Sequence, residues 1–270
     1  MARTRPPVDT KQQPGFATMA AICLVLLYGP ILVLMVFSLN SGKIVMHWEG
    51  VSLHWYAVAF QDADFHSAAK NTMIIAVTAT VVSTAAATLA AIGMTRVRPW
   101  KGLTAAFMVI NLPLMVPEIV TAVATLSFFA LIAGAFGINL GIGNLIIAHT
   151  VFCIPFAYMP IRARLEDMDL TLDHAAADLY APPWKTFRRI TLPLLVPGIM
   201  SGAALAFIVS FDDFTITQLV AGPGQTTLPL FIWNQIRRPM TPEVNAISTI
   251  LLSVSILLVA VSFLITRRRR

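Results

Sequence analysis

Six stretches of this chain stay apolar long enough to cross a hydrocarbon core of about 30 Å, which takes roughly 20 helical residues. They run over 16–39, 68–95, 102–132, 143–163, 192–221 and 244–266. The pattern predicts an all-α membrane protein with six transmembrane helices. Pro30, Pro113, Pro117, Pro155, Pro160 and Pro197 fall inside these stretches. Neighbouring helices can satisfy the backbone groups a proline frees, so kinks do not defeat the spans. The first run follows a polar, Pro-rich segment and is longer than the 7–15 residues of a signal-peptide core, so it reads as a retained helix. The expected organisation is a polar tail over 1–15, a six-helix domain over 16–266 with its longest loop at 164–191, and a basic tail over 267–270.

Two segments between the spans are amphipathic. Residues 43–67, with Trp48, Trp55, Tyr56 and Phe60, suit an interfacial helix with aromatics at headgroup level. Within 164–191, Leu172, Ala175, Ala176 and Leu179 recur at i, i+3, i+4, i+7 and share one helical face. Asp169 or Thr171 can cap that helix and Pro182-Pro183 ends it. A second short helix then starts at Pro183, with Trp184 and Phe187 on one face. The small side chains permit close approach of another surface and the aromatics offer an anchor. Packing of the loop on its own bundle is equally compatible with these residues.

Composition narrows the class. The chain is 57% hydrophobic and 12% charged, with a mean hydropathy of +0.77, far from the 45–50% and about 25% of soluble domains. The net charge of +6 is not spread as a phosphate-binding face. It is clustered between spans, which argues against nucleic acid. Of the 19 Lys and Arg residues, 15 fall on one side, in clusters that include Arg96, Arg98, Lys101, Arg188, Arg189 and Arg267 to Arg270. By the positive-inside rule both termini are expected in the cytoplasm. Cys23 and Cys153 sit in apolar runs and make no disulfide framework.

Polar residues inside the spans are the other candidates. Glu118, Asp212 and Asp213 are costly in lipid, about 2.5–3.5 kcal/mol each at mid-membrane, so they should face a cavity, a cationic cargo or a structural partner. Phe211, Phe214 and Trp233 can offer cation–π faces or simply pack. His149 reads as a packed residue with satisfied nitrogens. No G-x-x-x-x-G-K-[ST], H-E-x-x-H or G-x-S-x-G occurs, so ATP binding by a P-loop and the commonest hydrolase chemistries are missing. No catalytic residue, metal or cofactor is expected.

The loop also carries a resemblance. His174-Ala175-Ala176, three residues, Tyr180, nine residues, then Ile190-Thr191-Leu192-Pro193 resembles the permease signature of ABC importers, Glu-Ala-Ala, three residues, Gly, nine residues, Ile-x-Leu-Pro. His174 replaces the signature Glu and Tyr180 the Gly. A side chain at a left-handed helix end costs roughly 1 kcal/mol or more, so Tyr180 argues against the usual helix end. Phe211-Asp212-Asp213-Phe214, Thr227-Leu228-Pro229-Leu230, Arg237-Arg238, Pro242 to Ala246 and Ile147 to Thr150 are similar to the C-type permease of spermidine/putrescine importers. The resemblance implies a type I, MetI-like importer permease of the inner membrane, working by alternating access. It implies as partners a second, B-type permease, two copies of an ATPase and a periplasmic substrate-binding protein, besides lipid. Coupling to the ATPase is then expected of Asp173, His174, Ala175, Ala176, Asp178, Leu179, Tyr180, Trp184, Phe187, Ile190, Leu192 and Pro193. A polyamine cargo is the leading expectation, with aminophosphonates or opines as alternatives. An ATP-independent secondary transporter is a competing class, but the sequence shows no matched pair of interrupted helices of the kind such folds use. An intramembrane enzyme would require Glu118, His149 and the aspartates to converge.

Overall fold

The computed structural model describes residues 15–45, 47–97, 100–137, 140–169, 171–237 and 241–267, with side chains as far as 260. Residues 1–14 and 268–270 of the expected tails, together with Arg98 and Arg238, lie outside the described residues. The described chain is helical. It consists of α1 (Phe16–Phe37), α2 (His54–Gln61), α3 (Ala63–Thr95), α4 (Leu103–Met115), α5 (Glu118–Phe136) and α6 (Ile142–Glu166), then α7 (Thr171–Asp178), α8 (Pro183–Thr186), α9 (Leu192–Phe211), α10 (Thr215–Val220), α11 (Leu228–Ile236) and α12 (Glu243–Arg267). A π-helical turn, Phe187–Thr191, runs α8 into α9. Among the described residues, six segments are long and apolar enough to span a membrane: Phe16–Phe37, Ala63–Thr95, Glu118–Phe136, Ile142–Glu166, Pro183–Phe211 and Glu243–Ala260.

Two of the expected spans are interrupted. The stretch 102–132 divides at Val116-Pro117 into α4 and α5. Proline disfavours the helical region for the residue before it; the chain stays helical through Pro113, Pro155, Pro160 and Pro197, but at Val116 it turns extended, at φ −95° and ψ 137°. The stretch 192–221 stops at Phe211 and resumes as α10. No proline causes that break. Asp213 accepts from the backbone amides of Ile216 (3.3 Å) and Thr217 (3.0 Å) and from the Thr217 hydroxyl (3.0 Å). A carboxylate that caps a new helix competes with continuation of the old one. Each break separates a helix of membrane-spanning length from a shorter one, Glu118–Phe136 from α4 and Pro183–Phe211 from α10.

The chain forms two compact units, Met1–Gln61 with Arg238–Ile250, and Asp62–Arg237 with Leu251–Arg270. In the first, α1 buries no residue of its own. The expected interfacial helix over 43–67 is reduced to α2, because Asn40 organises the preceding loop. Its Nδ2 donates to the His47 carbonyl (2.6 Å), and its Oδ1 accepts from the Glu49 amide (2.9 Å). The Trp55 indole N–H donates to the Gly42 carbonyl at 3.1 Å and is buried, while Trp48 and Phe60 are exposed.

In the second unit α3, α6 and α9 pack as the core. Asp62 starts α3 by accepting from the Asp64 and Phe65 amides. With 33 residues, α3 is about 50 Å long at 1.5 Å per residue, more than the hydrocarbon thickness, so it reaches beyond the apolar zone. Contact is through small residues, including Ala79, Ala87, Ala91 and Ala157, all 0% exposed. Lipid gives helices no hydrophobic drive to associate, so close backbone approach by small residues supplies the packing energy. On another side of α3, the Thr72 hydroxyl accepts the Leu228 amide (2.8 Å), and Asn71 Nδ2 donates to the Gly224 and Thr226 carbonyls (3.0 Å each), tying the 222–228 segment down.

Candidate functional site

The loop between α6 and α9 holds the two short helices the periodicity indicates. Asp169 Oδ1 accepts the Thr171 amide at 2.9 Å, which starts α7. The Thr171 amide and hydroxyl beside it hold the Asp169 carboxyl below the ordinary carboxylate range. The end of α7 corrects the sequence reading. Tyr180 takes φ +56°, the one positive-φ residue other than glycine among those described. Its amide donates to the Ala177 carbonyl (2.9 Å) and the Ala181 amide to the Ala176 carbonyl (3.0 Å). These bonds are the paired closures of a Schellman helix end, made here with a tyrosine where glycine is usual.

The helix turns most of its expected coupling residues outward. Ala176 is buried, whereas His174, Ala175 and Asp178 are exposed, as are Leu172 (49%), Leu179 (82%), Tyr180 (95%) and Trp184 (70%). Trp184 stacks on Phe187 with ring centroids 5.7 Å apart. Ile190 and Leu192 are half-buried and Pro193 is exposed at the head of α9. Asp173 alone points inward by ion pairing. Its Oδ2 lies 3.3 Å from Arg96 Nη1 at the C-terminal end of α3, and its Oδ1 accepts from the buried Thr191 hydroxyl at 3.4 Å. In the sequence Arg96 reads only as an orientation charge and Thr191 only as part of the signature, so neither stands out as a site residue there. The place of Arg96 just after the last turn of a long helix, where cations are favoured, was the available signal.

The intramembrane polar residues separate into two environments. His149 of α6 is 1% exposed; its Nδ1 lies 2.8 Å from the Ser210 hydroxyl, and its Nε2 lies 3.1 Å from the Thr217 hydroxyl and 3.3 Å from Asp213 Oδ2. Glu118, at the first turn of α5, reaches the side chains of Asp213 and Thr215. The two helix interruptions thus meet through one polar cluster of Glu118, His149, Ser210, Asp213 and Thr217. Asp212 stays outside it. Its carboxylate is exposed and accepts from the Ser255 hydroxyl of α12 at 3.0 Å. Among the described residues no group of three or more His, Cys, Asp and Glu side chains is arranged to hold a metal ion.

The aromatics also differ from one another. Phe211 is 3% exposed and stacks on Phe207 inside the core. Phe214 packs on Trp233 at 5.1 Å between centroids, and the Arg237 guanidinium lies over the Trp233 ring at 5.0 Å. That ring already carries a cation from its own chain.

Similarity to known proteins agrees with this architecture. A family model described as "binding-protein-dependent transport system inner membrane component" matches residues 83–268. The putrescine transport system permease protein PotI of Escherichia coli (strain K12) is 36% identical over 228 residues, 84% of this chain and 81% of that protein. The spermidine/putrescine transport system permease protein PotC of the same strain is 34% identical over 241 residues, 89% of each chain. That of Haemophilus influenzae is 36% identical over 242 residues, 90% of this chain and 92% of the relative. Among solved structures, a bacterial ABC transporter that imports the acidic polysaccharide alginate contains a chain with a TM-score of 0.74 at 17% identity, covering 93% of both. An inward-facing MetNI methionine ABC transporter gives 0.64 at 16% identity, covering 81% of this chain and 99% of that one. At these identities the structural likeness speaks for the fold.

Proposed function

This chain belongs to the family of binding-protein-dependent transport system inner membrane components, and on that premise we propose that it is half of the translocation path of a polyamine importer. It is a multi-pass protein of the bacterial inner membrane and an ABC importer permease subunit, in a family of transport permeases. The importer contains, in this reading, a second, related permease of B type, two separate ATPase subunits and a periplasmic binding protein that delivers cargo. Both termini and the 164–191 loop face the cytoplasm. The chain itself performs no catalysis.

The observation that carries the mechanism is the outward face of the loop: Leu172, Ala175 and Trp184 on helices only eight and four residues long, and Leu179 and Tyr180 just past the end of the first, are apolar or aromatic and exposed. A helix that short has no stability to spare for displaying such residues to water. An ATPase surface closing on this face moves the core helices and switches access. The choice of putrescine or spermidine as cargo rests on the named relatives at 34–36% identity over most of the chain. In the path, Asp212 is the carboxylate open to a cationic cargo. Glu118 and Asp213, whose side chains meet, position the two helix breaks. Phe214 and Trp233 line the route as a packed aromatic pair, and Phe211 supports it from the core.

Uptake of radiolabelled putrescine and spermidine by cells carrying the whole importer tests the reading. Loss of uptake when this chain is deleted, with restoration by the intact gene, is expected. Normal polyamine uptake in the deletion, alongside lost uptake of an aminophosphonate or opine, would move the cargo to that class. Uptake sustained by an ion gradient without ATP hydrolysis would overturn the importer class itself.

A further inference from the structure

Arg96 and Asp173 occupy a position that the docking role of the loop does not explain. Arg96 follows the last turn of α3, Asp173 lies in the first turn of α7, and each charge sits at the helix end whose dipole favours it. The pair is half-enclosed, with side-chain exposures of 18% and 27%. It is not isolated, because the other carboxylate oxygen of Asp173 takes the Thr191 hydroxyl, the last residue before α9. One side chain therefore ties the short helix α7 to the ends of two of the three core helices. Beside it lies a cavity of about 470 Å³ bordered by Arg96, Asp173, Ala177, Phe187 and Thr191. Few other bonds restrain the guanidinium: its Nε and Nη2 are buried without a protein partner. The link is anchored at three helices and has open space to one side, so it can pivot without tearing packed side chains apart.

We propose that Arg96–Asp173–Thr191 is the strap that transmits movement of α7 into α3 and α9, with Arg96 and Asp173 acting as positioning residues rather than as contacts to another subunit. This rests on the reading of the loop as the face gripped by an ATPase. The exposed side chains of α7 receive the force, and Asp173, on its inward side, delivers it. Without the ion pair α7 still docks, but it rocks on its own and the core helices follow less closely.

The test uses the whole importer, purified with its partner subunits and reconstituted in vesicles. ATP hydrolysis is measured with and without the loaded binding protein. The unsubstituted importer should be stimulated by the binding protein, since the signal must cross the bundle to reach the ATPases. Arg96→Gln and Asp173→Asn should keep assembly and basal hydrolysis, while stimulation falls about fivefold, as for a coupling at the lower end of the usual range. The double variant should be no worse than either single one, because both break the same bond. Arg96→Lys, which keeps the charge, should retain most of the stimulation. Full stimulation in Arg96→Gln would overturn the strap and leave the ATPase reading intact. Equal loss of assembly in Arg96→Gln and Arg96→Lys would reduce the pair to a folding contact and also overturn it. An unsubstituted importer that assembles yet shows no response to its binding protein would overturn both the strap and the reading beneath it.

Discussion

Gly202 of α9 lies so close to Ala157 of α6 that a Cβ on the glycine would stand 2.6 Å from the Ala157 carbonyl oxygen. The obstacle is backbone, which cannot rotate away, and Ile161 closes the other side at 3.1 Å. This contact sets the spacing of the α6–α9 pair. Gly202→Leu is expected to force the helices apart at a cost of about 1–3 kcal/mol or more. It should appear as a lower unfolding temperature in detergent and reduced membrane abundance. An unchanged unfolding temperature would mean that the helices do not approach here.

Asp212 and Asp213 are adjacent in sequence and opposite in role. Asp213 is 6% exposed and caps α10 while facing His149. Asp213→Ala removes the cap and strands the buried donors, with an expected loss of about 1–3 kcal/mol. Asp212→Asn should leave the unfolding temperature within experimental scatter, because its carboxylate is exposed and keeps an acceptor for Ser255. If Asp212 meets a cationic cargo, the same variant lowers polyamine uptake at normal abundance. Equal destabilisation by both substitutions would contradict the separation seen in the fold.

Tyr180→Gly should stabilise the end of α7. A left-handed residue with a side chain costs roughly 1 kcal/mol relative to glycine, and at 95% exposure Tyr180 has little packing to lose within its own chain. Proteolysis at 178–182 should slow in the isolated chain. If the aromatic ring is held by the ATPase, association with that subunit should weaken in the same variant. Faster proteolysis would show that the tyrosine is itself the preferred residue at this helix end.

Asn71→Ala should loosen the 222–228 segment and little else. Two hydrogen bonds from one amide, to Gly224 and Thr226, are removed while the Thr72–Leu228 bond remains. Hydrogen exchange should accelerate over 222–226 and stay slow in α3. Uniform acceleration along α3 would indicate a wider structural role for Asn71.

The sequence by itself determined the solvent and the grain of this protein. In lipid every backbone group must be satisfied within the segment, so long apolar runs declare helices without needing any tertiary information. Apolar spacing and two prolines likewise marked out the short helices near Ala176 and Trp184. What the sequence did not disclose was where the spans break. Hydropathy averages over many residues, so a two- or three-residue interruption at Val116-Pro117 or Asp212 to Phe214 vanishes into its flanks. Nor did it disclose which polar residues meet. His149 and Asp213, or Arg96 and Asp173, are distant in the chain, and only the packing of α3, α6 and α9 brings them within bonding distance. Local hydrogen bonding at the helix end, rather than tertiary packing, lets Tyr180 take a glycine's conformation. The two carbonyls closed by the helix end outweigh a local penalty that, read residue by residue, had argued the other way.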